Sequence, residues 1–313
     1  MRVSHWETYY RGGAIAACPT GPDQGYTLEL RDTWSELFSR LASGSAVLDI
    51  GTGNGAIPLI ARQTAEVLGR TLEIHGVDLA RINPPRDVAG GAQLFAGITF
   101  HPGIAAESLP FAAASFAAVT GQYALEYTDV PRCLAEVMRV LKPDCEARFV
   151  IHHAESIVVQ RARASLKHAD VVLNRLKIYR LLRKFLEAER HASAAASRSW
   201  GELSAAMASL REIGRADPNR VTDVTLDAVP KLLGVRARLA PAELARQVNS
   251  VEGELRDAVR RNNDLIAVAA SEAMIGTIAQ RARAVGFTDV AYQPLWHAKQ
   301  ALVAWHLRMH KPA

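Results

Sequence analysis

Residues 47–55 read VLDIGTGNG and combine one acidic side chain with three alternate glycines. Glycine tolerates positive φ and lets a ligand approach the backbone closely. The aliphatic run around Asp49 predicts a strand buried on both faces, and the Ala/Ile/Leu-rich residues 56–68 predict a helix. A strand, a glycine turn and a helix N-terminus form a pocket of nucleotide size. The glycines that would line this pocket are Gly51, Gly53 and Gly55.

The glycines alone leave two ligand classes open, because Gly51, Gly53 and Ala56 also satisfy the spacing of a dinucleotide fold. Asp49 separates the two classes, since a carboxylate at this position can face a cationic group and would repel a pyrophosphate. Asp78 follows a second predicted strand, residues 72–77, where an acidic side chain can accept both hydroxyls of a ribose. Its position fits either class.

The full D-x-G-x-G-x-G pattern resembles motif I of the class I S-adenosylmethionine (SAM) methyltransferases. Three further blocks resemble, in order, the region around the fourth strand and following helix in the branch that includes ubiquinone-biosynthesis and many small-molecule enzymes. These blocks are LPF at 109–111, SFAAV at 115–119 and RVLKP at 139–143. The resemblance covers residues 45–153 and, less closely, 272–308.

The resemblance implies SAM as the cofactor and assigns a part of it to each motif. Asp49, Gly51, Gly53 and Gly55 would bind its methionine part, Asp78 its ribose, Ala106 and Glu107 the neighbourhood of its adenine, and Gln122 would lie near the donor methyl. This chain departs from the family at Ala105, where an aspartate usually reaches the adenine amino group. It departs again at Asp144 and Cys145, where two glycines usually follow the Lys-Pro pair.

The expected fold is α/β: a Rossmann-like seven-stranded sheet with helices on both faces, plus a helical insertion between strand five and the last helix. Strand five is predicted at 147–153, the last helix at 272–285, and a final hairpin at 287–292 and 300–308. The predicted domains are an N-terminal helical segment (1–44), the SAM-binding core (45–154), a helical cap (155–271) and the C-terminal part of the core (272–313). Breaks within the cap are predicted at 214–219 and around Pro230 and Pro241.

The chain has 313 residues, of which 49% are hydrophobic, and its composition indicates in which compartment the protein functions. No apolar run approaches the ~18 residues of a membrane span and the N-terminus lacks a signal-peptide core, so a cytoplasmic protein is expected. The three cysteines form no CxxC pair, and no metal site is predicted.

The chain carries a net charge of +5, and residues 155–190 hold nine basic and four acidic side chains. Such a segment can meet an anionic substrate, a membrane surface or nucleic acid, or can form a solvated face or a subunit interface. Nucleic acid ranks low because no binding signature accompanies the charge. A homodimer through the insertion is a further expectation.

Catalytic candidates follow the fourth and fifth predicted strands, because open α/β sheets place chemistry beyond the C-terminal strand ends. They are Tyr123, Glu126 and His153. A base is needed only when the acceptor has a proton to lose. Adjacent residues of a strand point to opposite faces, so at most one of His152 and His153 is expected to reach the acceptor.

The sequence thus predicts an enzyme that transfers a methyl group from SAM to a small-molecule acceptor by in-line displacement. Two alternatives stay open: an NAD-dependent oxidoreductase, and a non-catalytic SAM-binding regulatory protein, which the missing adenine aspartate brings into view. The aromatic side chains Trp6, Tyr9 and Tyr10 either close over the cofactor or cover the edge of the sheet.

Overall fold

A computed structural model describes residues 4–18, 26–191 and 194–313, in which seven strands form one mixed sheet. The strands are β1 (Ser45–Ile50), β2 (Leu72–Asp78), β3 (Ile98–Pro102), β4 (Phe116–Gln122), β5 (Leu141–His152), β6 (Thr288–His297) and β7 (Ala301–Lys311). Their order is β3-β2-β1-β4-β5-β7-β6, with β7 antiparallel to β5 and β6 and the other pairs parallel. The predicted Rossmann-like sheet is confirmed.

Twelve α-helices are assigned in the described part of the chain. They are α1 (Ser4–Arg11), α2 (Leu28–Ser39), α3 (Ala56–Val67), α4 (Pro84–Asp87), α5 (Gly91–Leu94), α6 (Val130–Val140), α7 (Ile157–Asp170), α8 (Ile178–Arg190), α9 (Ala195–Ala216), α10 (Arg220–Val235), α11 (Pro241–Val268) and α12 (Glu272–Val285). A 3₁₀ turn spans Leu125–Tyr127, and a π-helical stretch spans Val171–Arg175.

Helices cover both faces of the sheet, and β5 shows the alternation that this requires. Phe149 and Ile151 face a core that includes residues of α6 and α12, whereas Val150 faces a second core that includes residues of α2 and α3. All three are fully buried. A strand covered on both faces loses the polar alternation of an exposed sheet, which explains the three consecutive apolar residues 149–151.

Helix α2 is anchored to β5 by a buried arginine. Arg148 is 1% exposed and donates to the carbonyl oxygen of Thr33 at 2.5 Å and to Glu36 Oε2 at 2.7 Å. A buried charge of this kind is tolerated because it is paired and hydrogen-bonded. The helix therefore has a fixed position on the sheet.

The order of the parallel strands reverses between β1 and β4, which places a ligand crevice at their carboxyl ends. Residue Asp49 pairs in register with Thr120 of β4 and with Gly76 of β2. Side chains that follow β1, β2, β4 and β5 consequently meet at one edge of the sheet. This edge carries most of the residues that the sequence predicts to be functional.

The fifth strand starts six residues earlier than the predicted 147–153. It follows α6 directly at Leu141, so Asp144 lies inside the strand, with φ 59° and a register shift against β4. Aspartate tolerates this left-handed conformation better than most residues, and a bulge absorbs the irregularity. The departure from two glycines is therefore accommodated within the strand.

The predicted break at Pro230 is wrong, because α10 continues through this residue. Proline in a helix costs about 3 kcal/mol. Its neighbours Val229 and Leu232 are buried in the helical core, and burying two such side chains offsets a cost of that size. The other two signals coincide with helix ends: α9 stops at Ala216 and α11 begins at Pro241.

The chain divides into two compact units, residues 1–160 with 265–313 and residues 161–264. The second unit lies inside the predicted insertion and has its own core, which includes Val172, Leu182 and Leu210. The domain bounds, the role of a cap and a homodimer through this segment stay predictions. No helix in the described ranges is both long enough and apolar enough to cross a membrane.

The basic segment of the second unit is partly neutralised by carboxylates of other helices. Arg183 pairs with Glu252 at 2.6 Å, and Lys184 pairs with Glu202 at 2.6 Å. The Lys184–Glu202 pair is exposed and stabilises the helix packing only slightly, whereas Glu252 of the other pair is buried. For these two residues, the charge pattern reflects packing within the unit.

Candidate active site

The loop after β1 adopts a conformation that its three glycines make accessible. Gly51, Gly53 and Gly55 have φ values of 63°, 51° and 82°, and α3 begins at the next residue. A Cβ atom at Gly53 would lie 2.5 Å from the ring of Tyr10, and one at Gly51 would lie 2.4 Å from the Cβ of Ala124. Backbone strain and lack of space thus both require glycine here.

Two carboxyl groups lie at this loop, the buried Asp49 and the partly buried Asp78. Asp49 is 2% exposed, and Thr120 Oγ1 donates to its Oδ1 at 2.8 Å. The backbone N–H groups of Gly53 and Ala80 donate to the two oxygens of Asp78, each at 2.8 Å. A carboxylate has further lone pairs beyond these bonds, so Asp78 keeps acceptor capacity for the hydroxyls of a ligand.

Burial dominates the electrostatics of this pair. It raises the pKa of Asp49 to about 7, and the neighbouring Asp78 adds to the rise while hydrogen bonds from Thr52 and Thr120 oppose it. Burial also raises the pKa of Asp78 to about 6. In the described ranges, no lysine or arginine shifts either pKa. The pair therefore suits a cationic ligand and opposes a pyrophosphate.

The amino group and sulfonium of SAM supply positive charge that such a pair can stabilise, so the residues fit this cofactor. The neighbouring Asn54 is fully buried, and its Oδ1 has no partner among the described residues. A buried amide oxygen left without a donor is costly unless a ligand or water satisfies it. The loop thus presents both charge and hydrogen-bonding capacity.

The N-terminal segment lies over the glycine loop. The Asn54 side-chain N–H group donates to the carbonyl oxygens of Tyr10 and Ala14 at 2.7 and 2.8 Å. Trp6 stacks on Tyr10 with ring centroids 6.1 Å apart and meets Tyr127 edge-on at 6.0 Å. These aromatic rings cover the ligand loop itself.

The side chain of Gln122 is oriented by a residue that sequence reasoning missed. Gln122 ends β4 and is 8% exposed, and the indole N–H of the buried Trp34 donates to its Oε1 at 2.7 Å. This bond fixes the amide so that its N–H₂ group, unpartnered in the described ranges, faces away from Trp34. A tryptophan in the predicted N-terminal helical segment (1–44) was the available signal, but its partner lies 88 residues away.

The two residues predicted near the adenine lie between β3 and β4. Ala106 is buried, and Glu107 Oε1 accepts the backbone N–H of Asp129 at 2.7 Å. This bond attaches Glu107 to the start of α6. A role for either residue in adenine binding stays a prediction.

The adjacent histidines point to opposite faces of β5, as the two-residue period of a strand requires. His152 is 1% exposed and stacks on Tyr123, with ring centroids 3.9 Å apart and planes 7° from parallel. His153 instead stacks on Trp305 at 4.3 Å, and its Nδ1 accepts the backbone N–H of Glu155 at 3.0 Å. The structure thus brings His152, rather than His153, to Tyr123.

Burial makes both histidines weaker bases, since desolvation disfavours the imidazolium form. It lowers the pKa of His152 to about 3, and it lowers the pKa of His153 less, with Glu155 and Glu272 opposing the change. His152 is therefore neutral at physiological pH. A catalytic role for His153 stays a prediction.

Glu126, in the 3₁₀ turn after β4, joins Tyr123 and His152. Its Oε1 accepts the backbone N–H of His152 at 2.8 Å, and its Oε2 has no partner in the described residues. Burial raises its pKa to about 7, and backbone N–H groups, first that of His152, oppose the rise. A carboxyl group with this pKa can take up a proton near neutral pH. No cluster of three or more potential metal ligands occurs in the described ranges.

Comparison with protein families shows that residues 48–149 match a family model described as a methyltransferase domain. A search of curated proteins found no match. Among solved structures, a SAM-dependent methyltransferase from Mesorhizobium loti is 25% identical, over 40% of this chain and 54% of its own, with a TM-score of 0.32.

Two other similar structures come from different organisms. Geranyl diphosphate C-methyltransferase from Streptomyces coelicolor A3(2) is 15% identical, over 47% of this chain and 63% of its own, with a TM-score of 0.34. A SAM-dependent methyltransferase from Thermotoga maritima is 14% identical, over 90% of this chain and 89% of its own, with a TM-score of 0.39.

This chain covers between 44% and 54% of the first four solved structures that it matches. The assignment depends on the family match, which contains β1, the glycine loop, β2 and β4, and on the acidic, cation-free loop that the structure describes. The recognition made from the motifs is confirmed over the matched part of the chain: residues 48–149 carry a class I SAM-dependent methyltransferase domain, whose cofactor is S-adenosylmethionine.

Proposed function

We propose that this protein transfers a methyl group from SAM to a small-molecule acceptor by in-line displacement. The observation that carries the proposal is the pair of carboxyl groups, the buried Asp49 and the partly buried Asp78, beside a glycine loop and without a neighbouring lysine or arginine in the described ranges. When bound, SAM supplies an activated methyl group on a sulfonium. The protein then has to orient the acceptor and exclude water.

Each part of the cofactor has proposed contacts in this chain. Asp49 with the glycines would hold the methionine part, Asp78 the ribose, and Ala106 with Glu107 the adenine side. Gln122 would face the donor methyl with its free amide N–H₂ group. The ring cover of Trp6 and Tyr10 supports exclusion of water from this loop.

The proposed catalytic residues are Tyr123, Glu126 and His153. The contacts favour Glu126, because its Oε2 is unpartnered in the described part of the chain and its pKa is raised towards neutrality. Tyr123 stacks on His152 and shapes the wall beside Glu126. His153 lies on the other face of β5, against Trp305.

Calorimetry with S-adenosylhomocysteine and with NAD tests the cofactor directly. We expect binding of S-adenosylhomocysteine alone, and an Asp49→Ala variant should weaken it because a buried cationic contact is lost. The matched control is Asp227→Ala, which removes an aspartate that is 62% exposed in the other compact unit. Binding of NAD alone would support the oxidoreductase, and equal binding by Asp49→Ala would refute the loop assignment.

The non-catalytic alternative needs a separate measurement. Incubation with SAM and a library of small molecules, followed by detection of S-adenosylhomocysteine, reports transfer to any member. We expect product with at least one acceptor. Binding of S-adenosylhomocysteine without any product would favour the non-catalytic SAM-binding regulatory protein.

A further inference from the structure

Two buried polar atoms beyond the ends of β4 and β5 have no partner in the described residues: Glu126 Oε2 and His152 Nδ1. The other oxygen of Glu126 is already bound by the backbone N–H of His152 at 2.8 Å, so the carboxyl group is held in place. Buried polar atoms of native proteins are almost always satisfied. The two atoms therefore indicate a ligand that offers hydrogen bonds at this position.

Aromatic rings form the surroundings of these atoms. His152 stacks on Tyr123 at 3.9 Å and is met edge-on by Tyr127 at 6.2 Å, and Tyr127 in turn contacts Trp6 at 6.0 Å. Through Tyr10, the same series of rings continues to Gly53 of the cofactor loop. A group of aromatic rings beside the two unpartnered atoms favours an aromatic ligand, because rings pack well on rings.

The charges around this site exclude an anionic ligand. The groups that influence Glu126, His152 and Tyr123 are Cys18, Tyr127 and Glu126 itself, and no lysine or arginine in the described ranges does so. His152 is neutral, since burial lowers its pKa to about 3. A carboxylate or phosphate would therefore be buried beside Glu126 without a counter-charge.

We propose that the acceptor is an uncharged or cationic aromatic compound whose methylated oxygen or nitrogen carries a hydrogen, and that Glu126 receives this proton. The inference rests on the proposed methyl transfer. In the balanced step, the electron pair of the acceptor heteroatom forms the new bond to the methyl carbon, and the carbon–sulfur bond breaks with its pair on sulfur. The heteroatom–hydrogen bond breaks as its proton passes to Glu126 Oε2.

A panel of four fragments that share one ring system tests the charge and the hydrogen separately. The fragments are 2-naphthol, 2-naphthylamine, 2-naphthoate and 2-methoxynaphthalene, added to protein saturated with S-adenosylhomocysteine and measured by calorimetry. We expect 2-naphthol and 2-naphthylamine to bind about tenfold or more tightly than the other two, the equivalent of one charge-assisted hydrogen bond. Equal or tighter binding of 2-naphthoate, or binding of none of the four, would overturn the proposal.

A Glu126→Gln variant separates this role from folding and from the cofactor. We expect its affinity for S-adenosylhomocysteine to be unchanged, its affinity for 2-naphthol to fall about tenfold, and any transfer to lose its rise with pH near 7. The matched control is Glu29→Gln, since Glu29 Oε2 also accepts a backbone N–H, from Ala298 at 2.9 Å, at an exposed position.

The outcomes distinguish the two proposals. If the unaltered protein does not bind S-adenosylhomocysteine, the proposed function is refuted. Normal S-adenosylhomocysteine binding, with 2-naphthol affinity and pH dependence unchanged in Glu126→Gln, would refute only the role of Glu126. Circular dichroism must show that Glu126→Gln is as well folded as the control variant. If Glu126→Gln is unfolded, Glu126→Asp replaces it, and we expect a partial loss of affinity for 2-naphthol.

Discussion

Both ends of the candidate active site contain carboxyl groups with raised pKa values, but the two ends hold these groups differently. At the cofactor end, both oxygens of Asp78 accept backbone N–H groups, and Asp49 accepts a hydroxyl from the neighbouring strand. At the acceptor end, Glu126 uses one oxygen and leaves the other unpartnered in the described ranges. The difference indicates that the cofactor end is preorganised by the fold, whereas the acceptor end is completed by its ligand.

The strongest test of preorganisation is Gly53→Val. A side chain here would lie 2.5 Å from the ring of Tyr10 at a positive φ of 51°, so the loop must deform. We expect the affinity for S-adenosylhomocysteine to fall about a hundredfold or more by calorimetry, because both strain and steric overlap act on the loop.

The control for this variant is Gly201→Val, a glycine of α9 with open space around its Cβ position. We expect cofactor affinity in this control to be unchanged. If folded Gly53→Val bound S-adenosylhomocysteine with normal affinity, the glycine loop would not be preorganised for the cofactor.

The second largest effect is expected from Asp49→Asn, which keeps the shape of the side chain and removes its charge. Burial raises the pKa of Asp49 to about 7, so below this pH a proton must leave before the carboxylate can meet a cationic ligand. We expect the affinity for S-adenosylhomocysteine to rise with pH up to about 7 in the unaltered protein, by as much as tenfold per pH unit. The variant should bind about tenfold more weakly at pH 8 and show a smaller slope.

The slope is measured by calorimetry between pH 5.5 and pH 8. The pKa of Asp78 is raised to about 6, so this residue accounts for the pH dependence of affinity that remains in Asp49→Asn. An identical pH profile in Asp49→Asn would assign the titration to another group.

A smaller effect is expected on the pH dependence of the free energy of unfolding, measured without ligand, to which Asp49 at the cofactor end and Glu126 at the acceptor end both contribute. The folded-state pKa values of Asp49 and Glu126 are both raised to about 7, so each holds its proton more tightly when the chain is folded. Stability from this source is complete below about pH 4 and is lost as pH rises towards 7, by at most about 1.4 kcal/mol per pH unit and group.

Urea unfolding at several pH values checks this prediction in both single variants. Asp49→Asn should remove more of the slope than Glu126→Gln, because Asp49 is 2% exposed and Glu126 is less completely buried. If Glu126→Gln reduced the pH dependence of the free energy of unfolding more than Asp49→Asn does, this prediction would be wrong.

The smallest effect is expected from Trp34→Phe. This variant keeps a large apolar side chain in the core but removes the indole N–H that fixes the amide of Gln122. The loss of one neutral hydrogen bond costs about 1 kcal/mol, so we expect a threefold to fivefold change in S-adenosylhomocysteine affinity, roughly, by calorimetry. Leu37→Ala, in the same helix and core, serves as the control for packing alone.

The cofactor end could be predicted from the sequence because its parts are local. Asp49 and the glycines form one short motif, and Asp78 follows the next strand, so periodicity and spacing are enough to place them. The seven-stranded sheet was likewise predicted and confirmed, since the glycine motif fixes the position of β1 and the blocks at 115–119 and 139–143 fix the start of β4 and the end of α6.

The acceptor end could not be predicted in the same way, because its contacts join distant residues. Glu126 meets His152 across 26 positions, and Trp34 meets Gln122 across 88. The alternation of a strand predicts that His152 and His153 point apart, but not which of them faces Tyr123. Only the packing of β5 between two cores decides it.

Helix α2 lies outside the residues that match the family, although it contacts residues of the candidate active site. It precedes residue 48, where the family match begins, yet Trp34 orients Gln122, and Glu36 holds Arg148 on β5. A fragment starting at Ser45 would keep every motif of the family and lose the restraint on an amide at its centre. The segment that matches the family and the segment that holds its site in place are thus different lengths of this chain.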